Sequence, residues 1–562
     1  MNLSTSTQNQ IASRLMCVPL ALICIWSFSI AAMAQTPGLL DPNFNTSGYN
    51  IVDLSGNSEN DAAVGISLQG SFGSSTYFVL GSAGAPNSAD RAYSLAKFGS
   101  DGGLQEDAQH ELSASDDSEA RACQRKPSSI PLLSNFYVAG LADVSGTKWW
   151  QLGLVNSSLQ MVTSFDGNGW VQNQWGELET DLFAMAIQPD ERIILAGYYG
   201  ENIAMLRYLT DGSLDNSFSS DGKVITDFPG GTGERITAVS VAPSGAIFVA
   251  GTVPLDAGVP ADRGFVGKYL ANGNLDLAWG TLGFVTLHWG GTGSLDPWGF
   301  NFAGSSGIND MVIQSDGKIV VVGRSISGGQ EVDWDFCVAR LNADGTLDDS
   351  FAGDGKYRHG FTPTSNGANL DQAKSLTLDA AGGIIVAGEV QGITASRIGM
   401  LRLLANGDPD PDFGTDGNGT LVTSFGGSGH SIGQVTLDNQ GQIVVVGGWR
   451  SSTSVSTNTF IARYIGTAVG ILEFSLTNGV VNVFPNPIAE STTFNYTLVE
   501  PEQLTISLQD LQGRVITTFM NGRSMPAGEH KQTVSMPSDL AQGNYLLVFS
   551  TPKGRMSVQV SK

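Results

Sequence analysis

The sequence predicts an all-β chain, a seven-bladed β-propeller followed by a small Ig-like β-sandwich. Three observations predict it. An apolar pentad ending in glycine recurs seven times along the middle of the chain. The 71 glycines and only 15% charged residues suit many tight turns and little long helix. Short, evenly spaced strand patterns then fill the C-terminal end. At 562 residues the chain exceeds one ordinary domain, although a propeller holds several hundred residues around a single axis.

Residues 1–34 read as a signal peptide. Arg14 precedes an apolar run from Leu15 through Ile25 to Ala32, and Ala32-Met33-Ala34 is the small-x-small pattern that a signal peptidase accepts. Cleavage is therefore expected between Ala34 and Gln35, leaving no transmembrane segment. Cys17 follows Met16 and Cys24 follows Ile23, so neither has the small preceding residue that lipid attachment requires. The remaining Cys123 and Cys337 lie in different repeats and form no disulfide framework. In the run Phe336-Cys337-Val338, the thiol reads as a small buried hydrophobe. Against 53 acidic side chains stand 29 basic ones, a net charge of -24. Nucleic acid and anionic membranes, which need clustered Lys and Arg, are poor partners for such a chain, and the acidic exterior bears on solubility.

Residues 35–466 hold the repeats. The pentads end at Gly81, Gly140, Gly197, Gly251, Gly323, Gly388 and Gly447. Turn residues precede them, as in Gln188-Pro189-Asp190-Glu191, Ala242-Pro243-Ser244-Gly245, Gln314-Ser315-Asp316-Gly317 and Asp438-Asn439-Gln440-Gly441, so each pentad is the second arm of a hairpin. A further strand, a turn and a Leu-Asp-x-x-Phe segment follow, clearest at Asp215-Asn216-Ser217-Phe218 and Asp348-Asp349-Ser350-Phe351. Four short strands per repeat match one propeller blade. Runs such as Ile319-Val320-Val321-Val322 are apolar on both faces and must be covered on both, as stacked blades do. A solenoid would need caps, which are not evident. Arg207, Lys268, Arg340 and Arg402 each precede an acid by eight residues (Asp215, Asp276, Asp348, Asp410). Their recurrence points to structural ion pairs.

On these segments, together with Asp316-Gly317-Lys318, the stretch from about residue 38 to 466 resembles the delta-60 repeat family. The resemblance implies a propeller-like region without a settled activity. The first two repeats depart most, with Gln105 and Gln160 where Asp is usual and Val155 in place of the basic residue.

Residues 467–482 read as a linker and 483–562 as the sandwich, where the alternation in Leu504-Thr505-Ile506-Ser507-Leu508 marks a half-buried strand. Three motifs occur in order: Val483-Phe484-Pro485-Asn486-Pro487, Asp510-Leu511-Gln512-Gly513-Arg514-Val515 and Leu540-Ala541-Gln542-Gly543-Asn544-Tyr545. With them this region is similar to the type A C-terminal sorting domain of type IX secretion. The resemblance implies recognition by the type IX machinery, a secreted or cell-surface location after crossing both membranes, and removal of the tail by cleavage between Gly466 and Val483. Pro485 and Pro487 withhold backbone donors and stiffen the approach to the sandwich. Gly513 and Gly543 suit positive φ, and Asp510 and Arg514 are placed to pair across their turn.

No catalytic constellation is found. The five histidines lack metal-ligand spacing, and there is no nucleophile elbow, Walker loop or zincin helix. Neither a metal nor a cofactor is expected. Asn342-Ala343-Asp344-Gly345-Thr346-Leu347-Asp348 lacks the ligand spacing of a calcium loop and reads as a hairpin turn. Two long connections, His288 to Gly307 and Arg358 to Asp371, are read as joining the first two strands of the fifth and sixth repeats and bordering one mouth of the channel. The first carries His288, Trp289, Asp296, Trp298, Phe300 and Phe302, with His359 from the second. Aromatic residues of this kind anchor a protein or glycan ligand or pack the loop onto the propeller. The sequence thus favours a non-catalytic binding module, against a polysaccharide hydrolase or lyase on a propeller scaffold and a passive structural surface protein.

Overall fold

A computed structural model describes residues 36–562 except 56–59, 71–74, 85–90, 111–116, 128–134, 232, 255–261, 290–305, 327–332, 362–368, 392–394, 453–455, 467–481, 485–487, 489–490, 499–500, 511–514, 527, 538–539, 542 and 552–553. Every regular element among the described residues is a strand. Among the described residues the repeat region forms seven sheets, antiparallel but for the short strand Asn369–Leu370 that pairs in parallel in the fifth, each led by an innermost strand: Ala62–Gln69, Asp117–Arg125, Thr180–Ile187, Arg235–Val241, Ser306–Ile313, Gln372–Leu378 and Gly429–Leu437. Each pentad lies on the second strand, hydrogen-bonded on both edges and buried on both faces, so its apolar character follows from its place. The turns between first and second strands carry the left-handed residues the sequence supplies, Glu191 (φ 67°), Gly245, Gly317 and Gly441.

A β-bulge interrupts all seven innermost strands at one place, adding Val64, Arg121, Phe183, Thr237, Asn309, Lys374 and Gly433. Opposite each bulge stands the last residue of the pentad, and this explains why it is glycine: a Cβ at Gly323 would collide with the Gly307 carbonyl oxygen, and the other six face the same obstruction. Gly323→Ala should therefore destabilise the protein by about 1–3 kcal/mol, the usual range for overpacking, measured by urea denaturation.

The bulges also stitch neighbouring sheets together. Thr237 Oγ1 donates to Ile308 O (2.6 Å) and Asn309 Nδ2 to Ala373 O (2.6 Å). Leu376 N donates to Asp310 Oδ2 (2.9 Å) and Val435 N to Ser375 Oγ (3.2 Å). The step from seventh sheet back to first is made by Ile66 N and Gln434 Oε1 (2.8 Å), which closes the ring.

The Leu-Asp-x-x-Phe segment joins third strand to fourth, and its Asp forms an ion pair with the basic residue eight positions back. The distances are 2.7 Å for Arg207–Asp215, 2.9 Å for Lys268–Asp276, 2.6 Å for Arg340–Asp348 and 3.2 Å for Arg402–Asp410. Burial alone would raise the Asp348 carboxyl, but hydrogen bonds from Lys318, Ser350 and Arg340 outweigh it and hold the group well below the usual carboxylate range. The guanidinium of Arg207 lies 4.4 Å from the Phe218 ring centre and donates to the Ala271 carbonyl in the next sheet; Arg340 does the same with Phe351 and Ala405. Lys268 has no fork with which to reach the next sheet, and there Trp279, in the place of the Phe, donates Nε1–H to Ala343 O (2.9 Å) instead.

The second repeat differs from its sequence alignment. Val162 N bonds Leu154 O (2.8 Å) as Asp215 N bonds Arg207 O (2.9 Å), so the ion pair is replaced by the apolar pair Leu154 and Val162, not at Val155 and Gln160. In the first repeat Gln105 does occupy the Asp position, and Lys97 lies 3.7 Å from Glu106.

The seventh sheet is completed from the other end of the chain. Its third strand, Thr457–Tyr464, pairs with Tyr49–Val52 in the register Tyr49↔Ala462 to Val52↔Thr459. Leu40-Asp41-Pro42-Asn43-Phe44 is the missing Leu-Asp-x-x-Phe segment, with Arg463 Nη2 on Asp41 Oδ2 at 2.8 Å. Even the turn is assembled from two pieces: Gly38 N donates to Ile465 O and Ile465 N to Leu39 O, both 2.7 Å.

The C-terminal region is a two-sheet β-sandwich. One sheet orders Asn482–Phe484, Ser491–Leu498 and Gly528–Ser535; the other orders Val515–Met525, Glu502–Gln509, Asn544–Thr551 and Gly554–Ser561. Phe494, Ile506, Leu508, Leu547 and Phe549 fill its core.

Candidate functional site

Strands alternate in direction within each sheet, so the outer-to-inner connections and the second-to-third turns all open on one face of the ring. Both long connections belong to this face. They join the outermost strand of one sheet to the innermost strand of the next, Phe284–Leu287 to Ser306–Ile313 and Lys356–His359 to Gln372–Leu378, not the first two strands of one sheet. On the opposite face the Leu-Asp-x-x-Phe aromatics pack on glycines of the neighbouring sheet, as Phe351 does on Gly407 and Phe44 on Gly102.

Two of the proposed loop residues are packing residues. Trp289 is 7% exposed, lies in the core between the fourth and fifth sheets and donates Nε1–H to Val338 O (2.9 Å). His288 is equally buried, and its carbonyl accepts from Lys356 Nζ (2.7 Å). The apolar strand edge beneath them captures these side chains, so neither ring is available to a ligand. His359 is half-buried and meets Phe361 edge-on at 4.9 Å; burial lowers its pKa. Asp296, Trp298, Phe300 and Phe302 lie outside the described residues, as do Ala34 and Gln35 of the expected cleavage site.

Buried acids line this face at the approach to the innermost strands. Asp61 accepts from Leu54 N (2.7 Å) and Ser55 N (2.9 Å), and burial pushes its pKa up to about 6. Asp371 accepts from Phe361 N (3.0 Å) and Gln391 N (3.1 Å), pinning the ends of the connection around it. Glu234, 1% exposed, is pushed up to about 7 by burial, with Asp227 and Glu201 adding repulsion. Among the described residues, no group of three or more His, Cys, Asp or Glu side chains is placed to hold a metal. Cys123 and Cys337 are both free thiols. Burial raises both, Cys123 to about 12, and Cys337 is wholly enclosed.

The axis holds a cavity of about 480 Å³, lined by the bulge residues and their neighbours. Sequence reasoning missed it. The signal was present as the residue directly after an apolar one in each first strand (Ala63, Ala120, Leu182, Ile236, Ile308, Ala373 and Ile432), but a bulge is visible only when the strand is paired.

In the sandwich, Tyr545 is buried and donates to Ala541 O (2.9 Å), while Gly543, at φ 156°, exchanges backbone bonds with Lys562 (2.9 and 3.3 Å). The last residue is thereby tied to the third motif. Asp510 is partly buried at the end of its strand. Pro485, Asn486, Pro487, Gly513 and Arg514 lie outside the described residues.

Residues 188–218, 314–351 and 382–413 match the domain of unknown function (DUF5122) beta-propeller, and residues 482–561 match the secretion system C-terminal sorting domain. No curated protein matches the chain. Among solved structures, it is similar to PorZ, a bacterial surface component of the type-IX secretion system of Porphyromonas gingivalis, at 11% identity over 86% of this chain and 68% of that one, with a TM-score of 0.31. Drosophila Semaphorin 1b, extracellular domains 1-2, aligns at 10% identity over 86% and 93% (TM-score 0.37). The beta-propeller domain of the Trilobed protease from Pyrococcus furiosus aligns at 9% over 71% and 93% (TM-score 0.34). The chain is a β-propeller protein of the DUF5122, or delta-60, repeat kind that carries a type IX secretion sorting domain and is exported to the cell surface or beyond.

Proposed function

We propose that the chain is a non-catalytic binding module, made with a signal peptide over residues 1–34 and displayed or released outside the cell, whose propeller spans residues 35–466. In this reading 467–482 is the linker at which the 483–562 address is removed. One observation carries the proposal: the two longest connections from one sheet to the next open on one face around the axial cavity, while on the other face the Leu-Asp-x-x-Phe segments bind sheet to sheet. Rigid scaffolds carry recognition on such variable loops. The ligand is a protein or glycan met outside the cell, with Trp298, Asp296, Phe300 and His359 as its candidate contacts.

The test is an array of glycans and surface proteins probed with the mature protein, followed by mass spectrometry of any ligand retained. The expected result is a ligand held chemically unchanged, with binding lost in the double substitution Trp298→Ala and His359→Ala. Conversion of the ligand to product, or binding indifferent to that substitution, overturns the reading.

A further inference from the structure

The seven bulge residues are not equivalent, and their order around the axis concentrates positive charge on one arc. Lys374 on the sixth sheet and Arg121 on the second flank Gly433 and Val64 on the seventh and first. The two intervening residues are a glycine and an uncharged aliphatic, and Gly433 lies so close to the Ala63 carbonyl that no side chain fits there. A slot thus opens between two cations.

The cations differ in how they are used. Arg121 is held by Glu119 and by Asp181, the latter at 3.1 Å, and its guanidinium lies 5.7 Å from the Phe183 ring centre. Lys374 lines the same cavity, and among the described residues no carboxylate pairs with it. Asp310 on the adjoining sheet, an acid of the same lining, is already engaged: it accepts from Leu376 N (2.9 Å), Ser375 Oγ (3.0 Å) and Met311 N (2.8 Å). Arg125 adds a further cation to the lining. In a chain with 53 acidic and 29 basic side chains, a lysine that lines a concave site without a carboxylate partner is free to meet an anionic ligand.

We infer that this arc of the axial cavity is a binding site for a small carboxylate-bearing ligand, its carboxylate held by Lys374 over Gly433, with the Asn309 and Phe183 positions bordering the rest of the molecule. At about 480 Å³ the cavity takes a molecule of monosaccharide size or the carboxylated end of a longer chain. The inference rests on the binding-module reading and supplies the chemistry of its ligand.

Titration calorimetry on the mature protein uses sodium glucuronate as the probe, with glucose and sodium sulfate as comparisons. Glucuronate should bind in the millimolar range or tighter, with glucose at least about ten-fold weaker. Lys374→Met should lose at least about ten-fold in affinity while its urea midpoint stays unchanged, and Lys374→Arg should restore binding. No heat with glucuronate up to about 10 mM, or equal binding by the Met variant, overturns the site. Sulfate binding as tightly as glucuronate overturns the assignment of a carboxylate. A ligand found on the array but indifferent to Lys374 sinks this inference alone. Glucuronate bound and then chemically altered sinks the non-catalytic reading alone.

Discussion

Arg463→Ala should destabilise the propeller by about 3–5 kcal/mol, the loss expected when one partner of an enclosed ion pair is removed and the other remains. The side chain makes more than one bond across the junction of the two chain ends. Its Nε and Nη2 reach Asp41 Oδ2 at 2.9 and 2.8 Å, its Nη1 donates to Ser100 O (2.7 Å) and meets Tyr77 Oη (3.1 Å), and its plane lies 4.8 Å from the centre of the Phe44 ring. Alanine leaves the Asp41 carboxylate and the Ser100 carbonyl enclosed without these donors. Lys268→Ala, by contrast, should cost about 1 kcal/mol or less, because Lys268 is more exposed and Trp279 independently supplies the bond to the next sheet. Urea midpoints of the two variants, compared with the unaltered chain, check both numbers.

Ending the chain at Gly543 should reduce the exported protein to background while the propeller accumulates in folded form inside the cell envelope. The truncation removes Asn544–Thr551, which pairs with Glu502–Gln509 in the register Thr505↔Ser550 to Gln509↔Leu546, together with the strand outside it. Leu547 and Phe549 leave the core with it, so the sandwich loses half of its four-stranded sheet and the surface a receptor reads. The measurement is an immunoblot of extracellular and cell fractions, with a protease-resistance assay on the retained propeller. Normal export of the truncated chain would show that the address lies elsewhere.

Much of this architecture was legible because it is local. A pentad, its preceding turn and an Arg eight residues before an Asp all fall within one repeat, where period and turn chemistry suffice. The closure was not legible, because Asp41 and Arg463 are 422 residues apart and a fixed spacing cannot see across the chain. Two loose ends did signal it: Leu40-Asp41-Pro42-Asn43-Phe44 is a motif without a strand before it, and Arg463-Tyr464 ends a third strand without a motif after it. The pentad glycine was visible as a column but not as a requirement, since its obstruction comes from a paired strand's bulge. For Trp289 and His288 the sequence leaves ligand contact and packing both open, because aromatic type does not reveal which side of a loop faces the core. The axial arc was hidden for a related reason: Lys374 and Arg121 become neighbours of one slot only when seven separate strands converge on the axis.

The ring closed by its own N-terminal strand is the claim on which the face, the cavity and the stability argument depend. Amide hydrogen exchange across Thr457–Tyr464, compared between the intact mature protein and a chain lacking residues 36–52, tests it most directly. Protection of Thr459 to Ala462, the partners of Val52 to Tyr49, should be strong in the intact protein and fall by orders of magnitude in the shortened one. Equal protection in both chains would mean that the seventh sheet is completed without the N-terminus, and the closed ring described above would be wrong.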